Sequence, residues 1–128
     1  MSMGSKSLPP PAPDELRRWD KLRDYGCICC RQRLGVFEHA EIHHLLLGGR
    51  RMGHRFTVGL CAWHHRGAAA ALPGHTRALR GPSLMDGSKT FAITFGSNAE
   101  LWAANDRAIR WDDGTAWPTS KALRRAAA

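Results

Sequence analysis

The sequence predicts a small α+β domain that is stabilised by zinc and contains little regular secondary structure. The chain has 128 residues, which fits a single domain. Its hydrophobic content is 43%, but much of this is alanine, so large aliphatic side chains for a core are few. Such a chain often needs a metal or a disulfide to hold it together. Four cysteines and seven histidines supply candidate ligands.

The chain divides into three predicted segments. Residues 1–13 are expected to form a disordered leader, residues 14–110 the zinc-binding domain, and residues 111–128 a loosely packed basic tail. There is no run of about 20 apolar residues and no apolar stretch at the N-terminus, so we expect neither a membrane span nor a signal peptide. The expected compartment is a reducing cytoplasm, where clustered cysteines usually bind metals.

The first half of the domain is predicted to hold one helix and two strands. Asp14 can cap a helix that runs to Tyr25 and stops at Gly26. After it, the sequence predicts a turn at CICC, a strand over residues 35–44 with no assigned partner, a glycine- and arginine-rich loop over residues 47–56, and a short strand or extended lead-in over residues 57–60.

The second half is predicted to be mainly helical at its two ends. The sequence predicts a helix from about residue 61 to 72, a loop over residues 74–87, a segment over residues 88–96 that fits a helix or a strand, and a helix over residues 98–109. The last helix is the best marked, because Ser97 and Glu100 form a capping box.

Four residues have the spacing of a structural zinc site. Cys27 and Cys30 lie three apart, and so do Cys61 and His64, which places the second pair on one face of a predicted helix. Together they form a Cys3His set, which is a closed tetrahedral shell for zinc. The alternative is that the cysteines are small buried hydrophobic residues, and this is our interpretation of Cys29.

Two pairs of adjacent histidines accompany these ligands, His43 with His44 and His64 with His65. Neighbours on a strand face opposite ways, and neighbours on a helix point about 100° apart. The members of each pair are therefore expected to have separate roles, although a packed or surface histidine is the simpler alternative. Glu41 could orient His43 from the same strand face or be a surface carboxylate.

The order of these residues resembles the HNH, or ββα-metal, nucleases, whose core is treble-clef-like. The corresponding segments are CICC, IHH and LCAWHH. This resemblance implies that His43 and His65 bind a catalytic metal and that His44 is the general base. The middle Asn of the motif has no clear match here, and His54 is the nearest candidate.

A longer stretch, about residues 19–103, is similar to the phage recombination-enhancement nucleases of the Ref type, which are RecA-dependent HNH enzymes. The similarity implies a phage or prophage protein of DNA recombination with a RecA-type filament as a partner. It also implies His54 and His75 as metal ligands, either of a second zinc or at the catalytic site. A solvent-facing loop histidine is the alternative for His75.

The charge of the chain favours a polyanionic partner. The net charge is +8, and residues 27–87 carry eight arginines, no lysine and three acids. Arginine can make paired hydrogen bonds to phosphate. We therefore predict DNA-backbone contacts at four arginines, with a solvated basic face as the alternative: Arg50, Arg51, Arg55 and Arg66.

These observations predict a metal-dependent DNA endonuclease or nickase. His44 would take a proton from water, and a divalent ion on His43 and His65 would stabilise the leaving oxygen. Imidazole ligands suit Mn²⁺, Ni²⁺ or Zn²⁺, and Mg²⁺ could serve with oxygen ligands from water and phosphate. Two alternatives remain: a non-catalytic zinc-stabilised DNA-binding module, and an accessory protein that binds a protein partner through exposed Trp111 and Trp117.

Overall fold

The computed structural model describes residues 8–118, in which six helices accompany two small antiparallel strand pairs. The helices are α1 (Pro13–Tyr25), α2 (Ile28–Leu34), α3 (Ala62–Arg66), α4 (Arg77–Arg80), α5 (Ser88–Phe95) and α6 (Asn98–Ile109). The strands are β1 (Glu41–His44), β2 (Leu46–Leu47), β3 (Arg50–Arg51) and β4 (Thr57–Leu60). The predicted small α+β class is confirmed.

β1 pairs with β4, so the strand partner that could not be assigned from the sequence is β4. The two strands are antiparallel, with Glu41 opposite Leu60 and His44 opposite Thr57. Because α3 begins two residues after β4, the chain runs strand, strand, helix through this region. Between the two strands, β2 and β3 form a separate hairpin whose loop is Gly48 and Gly49, both at positive φ.

Three predictions for the first half were wrong, two at the ends of elements and one in the type of element. α1 is capped by Ala12 rather than Asp14, because the Glu15 carboxylate accepts the Ala12 N–H at 2.8 Å. CICC is not a turn, since Cys27 caps α2 and its sulfur accepts the Cys30 N–H. The predicted strand over residues 35–44 is also too long, because only residues 41–44 pair with β4.

In the second half, α3 is shorter than predicted. It ends at Arg66 because Gly67 has a φ of +77°, and a Cβ there would lie 3.0 Å from the Met85 side chain. The ambiguous segment is helix α5, which buries Phe91 and Phe95 one turn apart. The predicted loop over residues 74–87 contains the short helix α4 and one 3-10 turn, and the last helix is confirmed with its capping box.

The core is built around the cysteines. All four have no exposed surface, and Cys29 packs among them as predicted. The large apolar side chains of this core come from α2, the residue after β1, β4, α3, α5 and α6, and they are Ile28, Leu45, Val58, Leu60, Trp63, Phe91, Phe95, Leu101 and Trp102. Two tryptophans and two phenylalanines therefore make up much of this core.

A buried arginine joins the first helix to β4 and to the last helix. The Arg18 side chain is 1% exposed. Its guanidinium donates to Asp106 Oδ1 at 2.6 Å, to the Thr57 carbonyl at 2.6 Å and to Thr57 Oγ1 at 3.2 Å. Asn105 accepts the Gly59 N–H at 3.0 Å. These bonds hold β4 in place and leave its other edge to pair with β1.

The two ends of the chain are only partly described. The predicted disordered leader and basic tail fall largely on residues 1–7 and 119–128, which lie outside the described residues. Trp117 is half-buried, with its ring centroid 5.8 Å from Phe56 and 5.5 Å from Trp102, so the expectation of an exposed Trp117 was wrong. Within residues 8–118, no helix is both long enough and apolar enough to cross a membrane.

Candidate functional site

Cys27, Cys30, Cys61 and His64 meet in one buried cluster. Their ligand atoms all lie within 4.8 Å of one another, and this is the only such group of His, Cys, Asp and Glu side chains within residues 8–118. His64 Nε2 lies 2.7 Å from the Arg80 carbonyl, which can only accept, so Nε2 carries the proton and Nδ1 is free to bind a metal. Three thiols and one such imidazole fit the donor set of structural zinc.

Charged neighbours support this cluster. Arg80 Nη1 donates to Cys30 Sγ at 3.0 Å and lies 3.3 Å from Glu38 Oε1. His75 Nε2 is 3.2 Å from the same carboxylate oxygen, close enough for an ion pair although not aligned as a hydrogen bond. A guanidinium next to a thiolate stabilises its negative charge. The sequence offered no local signal for Arg80, because it comes from α4.

The pKa values of the four side chains in this cluster shift in opposite directions. Burial raises the pKa of Cys27, and hydrogen bonding with Cys27 raises that of Cys30. Hydrogen bonds from those two thiols lower the pKa of Cys61. Burial would lower the pKa of His64, but the Cys30 and Cys61 sulfurs raise it to about 9. At neutral pH the cluster therefore holds protons that a metal ion must displace.

His43 of β1 and His65 of α3 lie side by side. Their ring centroids are 5.0 Å apart. Burial, together with the smaller effects of the nearby His65 and His44, lowers the pKa of His43 to about 4, so His43 is neutral at pH 7. Imidazoles from two elements can share one metal ion.

Glu41 orients His65 rather than His43, so the suggested role for Glu41 was assigned to the wrong histidine. Its Oε1 is 2.8 Å from His65 Nδ1, and the same carboxylate pairs with Arg66. The reason is the strand register: Glu41 is opposite Leu60, two residues before α3 begins. With Nδ1 engaged, His65 Nε2 is the nitrogen left for a metal.

His44 faces a different set of neighbours. Its Nε2 lies 2.9 Å from His54 Nδ1, and its ring meets Trp19 edge-to-face with centroids 5.6 Å apart. Burial lowers the pKa of His44, as do the adjacent His54 and Arg51. The separate surroundings of His43 and His44 agree with the expected strand alternation. Trp19 was not recognised as a site residue, because its helix lies far from the motif in sequence.

The structure does not bring His54 and His75 together. His54 lies against His44 and the Pro9 carbonyl, whereas His75 accepts the Leu72 N–H and faces Glu38 near the cysteine cluster. A second zinc held by both histidines is therefore not supported. His75 is 7% exposed, so the solvent-facing alternative is also wrong, and His54 belongs beside the candidate catalytic residues.

The four candidate DNA contacts differ in availability. Arg55 lies 2.7 Å from Asp14 and 2.9 Å from Asp113, so its charge is balanced within the protein. Arg66 is paired with Glu41. Arg50 and Arg51 are exposed on the β2–β3 hairpin. Of the four, these two are the most accessible to an external anion.

Comparison with known proteins assigns this arrangement to a family. A family model described as recombination enhancement, RecA-dependent nuclease, matches residues 11–109, which include all four cysteines and all seven histidines. The sequence has no significant match among curated individual proteins. Since the family match covers most of the domain from the start of α1 to the end of α6, the chain belongs to the recombination-enhancement, RecA-dependent nuclease family.

Proposed function

We propose that this protein is an HNH-type, metal-dependent endonuclease that hydrolyses DNA phosphodiester bonds in RecA-dependent recombination. The observation that carries the proposal is the junction of β1, β4 and α3. That junction brings the His43 and His65 rings to 5.0 Å, with His44 next to them on β1. The family match supports nuclease activity and RecA dependence.

In this proposal, His43 and His65 hold one divalent ion and Glu41 keeps His65 in position. Both ligands are imidazoles, which suit Mn²⁺, Ni²⁺ or Zn²⁺, and Mg²⁺ if water and phosphate oxygens complete its shell. Such an ion would stabilise charge on the leaving oxygen of the phosphodiester. The Cys3His cluster is separate and structural, since all four of its ligands are buried.

His44 is the proposed general base. Its lowered pKa keeps it neutral at pH 7, so it can accept a proton from the attacking water. The water oxygen forms the new bond to phosphorus while the bond from phosphorus to the leaving sugar oxygen breaks, and that oxygen takes up a proton. Arg50 and Arg51 are exposed and would contact the DNA backbone, which adds affinity without sequence preference.

A plasmid-nicking assay tests this function. The protein is supplied in turn with Mg²⁺, Mn²⁺, Ni²⁺ and Zn²⁺, with and without RecA filaments on single-stranded DNA. We expect cleavage by the wild type with at least one metal and a loss of about 10²- to 10⁴-fold in His44→Ala, the usual contribution of a general base. His39→Ala is the matched control, because His39 is exposed and its ring contacts only Phe37 among the aromatic side chains of the described residues.

Two results would contradict the proposal. Cleavage by His44→Ala at the wild-type rate would show that His44 is not the base. Salt-sensitive DNA binding without cleavage under every metal and RecA condition would instead identify a non-catalytic zinc-stabilised DNA-binding module.

A further inference from the structure

We infer that His54 is a positioning residue that fixes the tautomer of His44 and makes Nδ1 the proton-accepting atom of His44. The inference rests on the proposed function, in which His44 is the general base. It follows from a chain of hydrogen bonds that runs from His44 through His54 to the backbone carbonyl of Pro9.

The first link is between His54 and Pro9. His54 Nε2 lies 2.5 Å from the Pro9 carbonyl oxygen. A carbonyl oxygen can only accept a hydrogen bond, so His54 Nε2 must donate. A neutral imidazole has one N–H, and its other nitrogen is an acceptor. With one proton on its ring, His54 therefore presents Nδ1 as an acceptor.

The second link is between His54 and His44. His54 Nδ1 lies 2.9 Å from His44 Nε2. Because Nδ1 accepts, His44 Nε2 must carry the proton and donate it. His44 Nδ1 then holds the lone pair, and within the described residues it has no hydrogen-bond partner. This is the nitrogen that can take a proton from water.

Trp19 keeps the two rings in this arrangement. Its indole meets the His44 and His54 rings edge-to-face, with centroids 5.6 and 5.1 Å away. Its Nε1 donates to the His54 carbonyl at 3.2 Å, and so does the Thr57 hydroxyl at 3.0 Å. Hydrogen bonds therefore fix both the backbone carbonyl and the ring of His54. A side chain that only fills space would not need both sets of bonds.

Loss of the acceptor at His54 should release the tautomer of His44. A base that carries its proton on the wrong nitrogen cannot accept one from water in the same position. Residues that orient a metal-binding histidine and fix its tautomer contribute about 10- to 100-fold to activity, and we expect an effect of similar size for a residue that orients the base. We therefore expect a fall in kcat with KM for DNA little changed, because His54 does not touch the substrate.

The test combines activity with nitrogen-15 NMR of the histidine rings in the full-length zinc-loaded protein. His44 of the wild type should be the Nε2–H tautomer. His54→Leu removes the acceptor and should give a mixture of tautomers and a kcat lower by about 10- to 100-fold. His54→Asn keeps an acceptor near the position of Nδ1, so it should retain the Nε2–H tautomer and most of the activity.

Several outcomes would overturn the inference. They are an Nδ1–H tautomer of His44 in the wild type, a His54→Leu variant with unchanged tautomer and kcat, and a folded His54→Asn variant that loses the Nε2–H tautomer. Shifts of both the His44 and the His54 nitrogens on addition of Zn²⁺ would also overturn it, since they would identify a pair of metal ligands. A wild type that has the Nε2–H tautomer but cleaves no DNA would leave the positioning role standing and contradict the proposed function.

Discussion

The chemical roles available to His43 and His44 depend on which face of the short strand β1 each side chain occupies. His43 and His44 are adjacent, yet one ring lies beside His65 and the other beside His54 and Trp19. Burial lowers the pKa of both. Two neutral imidazoles with different neighbours can serve as a metal ligand and as a base.

The lowered pKa of His43 predicts a pH dependence of stability. Its pKa falls from 6.5 to about 4 on folding, so the neutral form is favoured in the native state. This contribution to stability is complete above the unfolded value of 6.5 and is lost as the pH falls through about 4. Between pH 6.5 and about 4, we expect the free energy of unfolding of the wild type to decrease more steeply with falling pH than that of His43→Gln.

Urea denaturation at matched zinc concentration measures this difference. With zinc limited to the amount that the Cys3His cluster binds, comparison at each pH removes the effect of acid on that cluster, because both proteins share it. The control His39→Gln changes an exposed histidine and should keep the wild-type slope. Parallel curves for wild type and His43→Gln would contradict a buried neutral His43.

At the scale of elements, the site depends on where β4 lies. β4 pairs with β1 and leads directly into α3, so it sets the distance between His43 and His65. Its position is held from the other side by Arg18 of α1 and by Asp106 and Asn105 of α6. The helices at the two ends of the domain therefore act on the site through this strand.

Arg18→Ala should destabilise the protein strongly. The substitution removes the guanidinium that donates hydrogen bonds to Asp106 and to the Thr57 carbonyl in the native state. Breaking a buried ion pair in this way costs about 3–5 kcal/mol. Arg17→Ala is the matched control, because Arg17 is exposed on the same helix and should change stability by less than about 0.5 kcal/mol. Equal effects of the two substitutions in urea denaturation would rule out the role assigned to Arg18.

At the scale of the whole molecule, the Cys3His cluster lies at the centre of a small core. Its ligands come from the start of α2 and from the junction of β4 with α3, and α4 supports it through Arg80. Structural zinc contributes about 10–16 kcal/mol of apparent binding energy in small domains. A domain of this size has a total stability of about 5–15 kcal/mol, so the fold should depend on the metal.

Removal of one ligand should therefore unfold much of the protein. We expect Cys30→Ser to bind less than one zinc per chain and to lose its cooperative thermal transition, as should the wild type with a strong chelator. Cys29→Ala is the matched control, because Cys29 is equally buried but lies outside the ligand set. Zinc content by mass spectrometry and thermal unfolding test this, and a folded, zinc-free Cys30→Ser would contradict it.

The part of the site that could be predicted from the sequence is local. The four ligands of the cysteine cluster come in pairs three residues apart, and the backbone of a helix start brings such pairs together wherever it lies. The separation of His43 from His44 follows from strand alternation. Helix α6 was predicted to within its bounds because its capping box, Ser97 with Glu100, is contained in four residues.

What the sequence alone determined is thus the family pattern, the Cys3His set and the separate surroundings of the paired histidines. Only the tertiary structure decided that Glu41 supports His65, that Arg55 is balanced by Asp14 and Asp113, and that His54 lies against His44 while His75 lies near the cysteines. Each of these contacts joins segments that are distant in the chain. Their geometry is set by the register of β1 with β4 and by the packing of the end helices, which no short motif encodes.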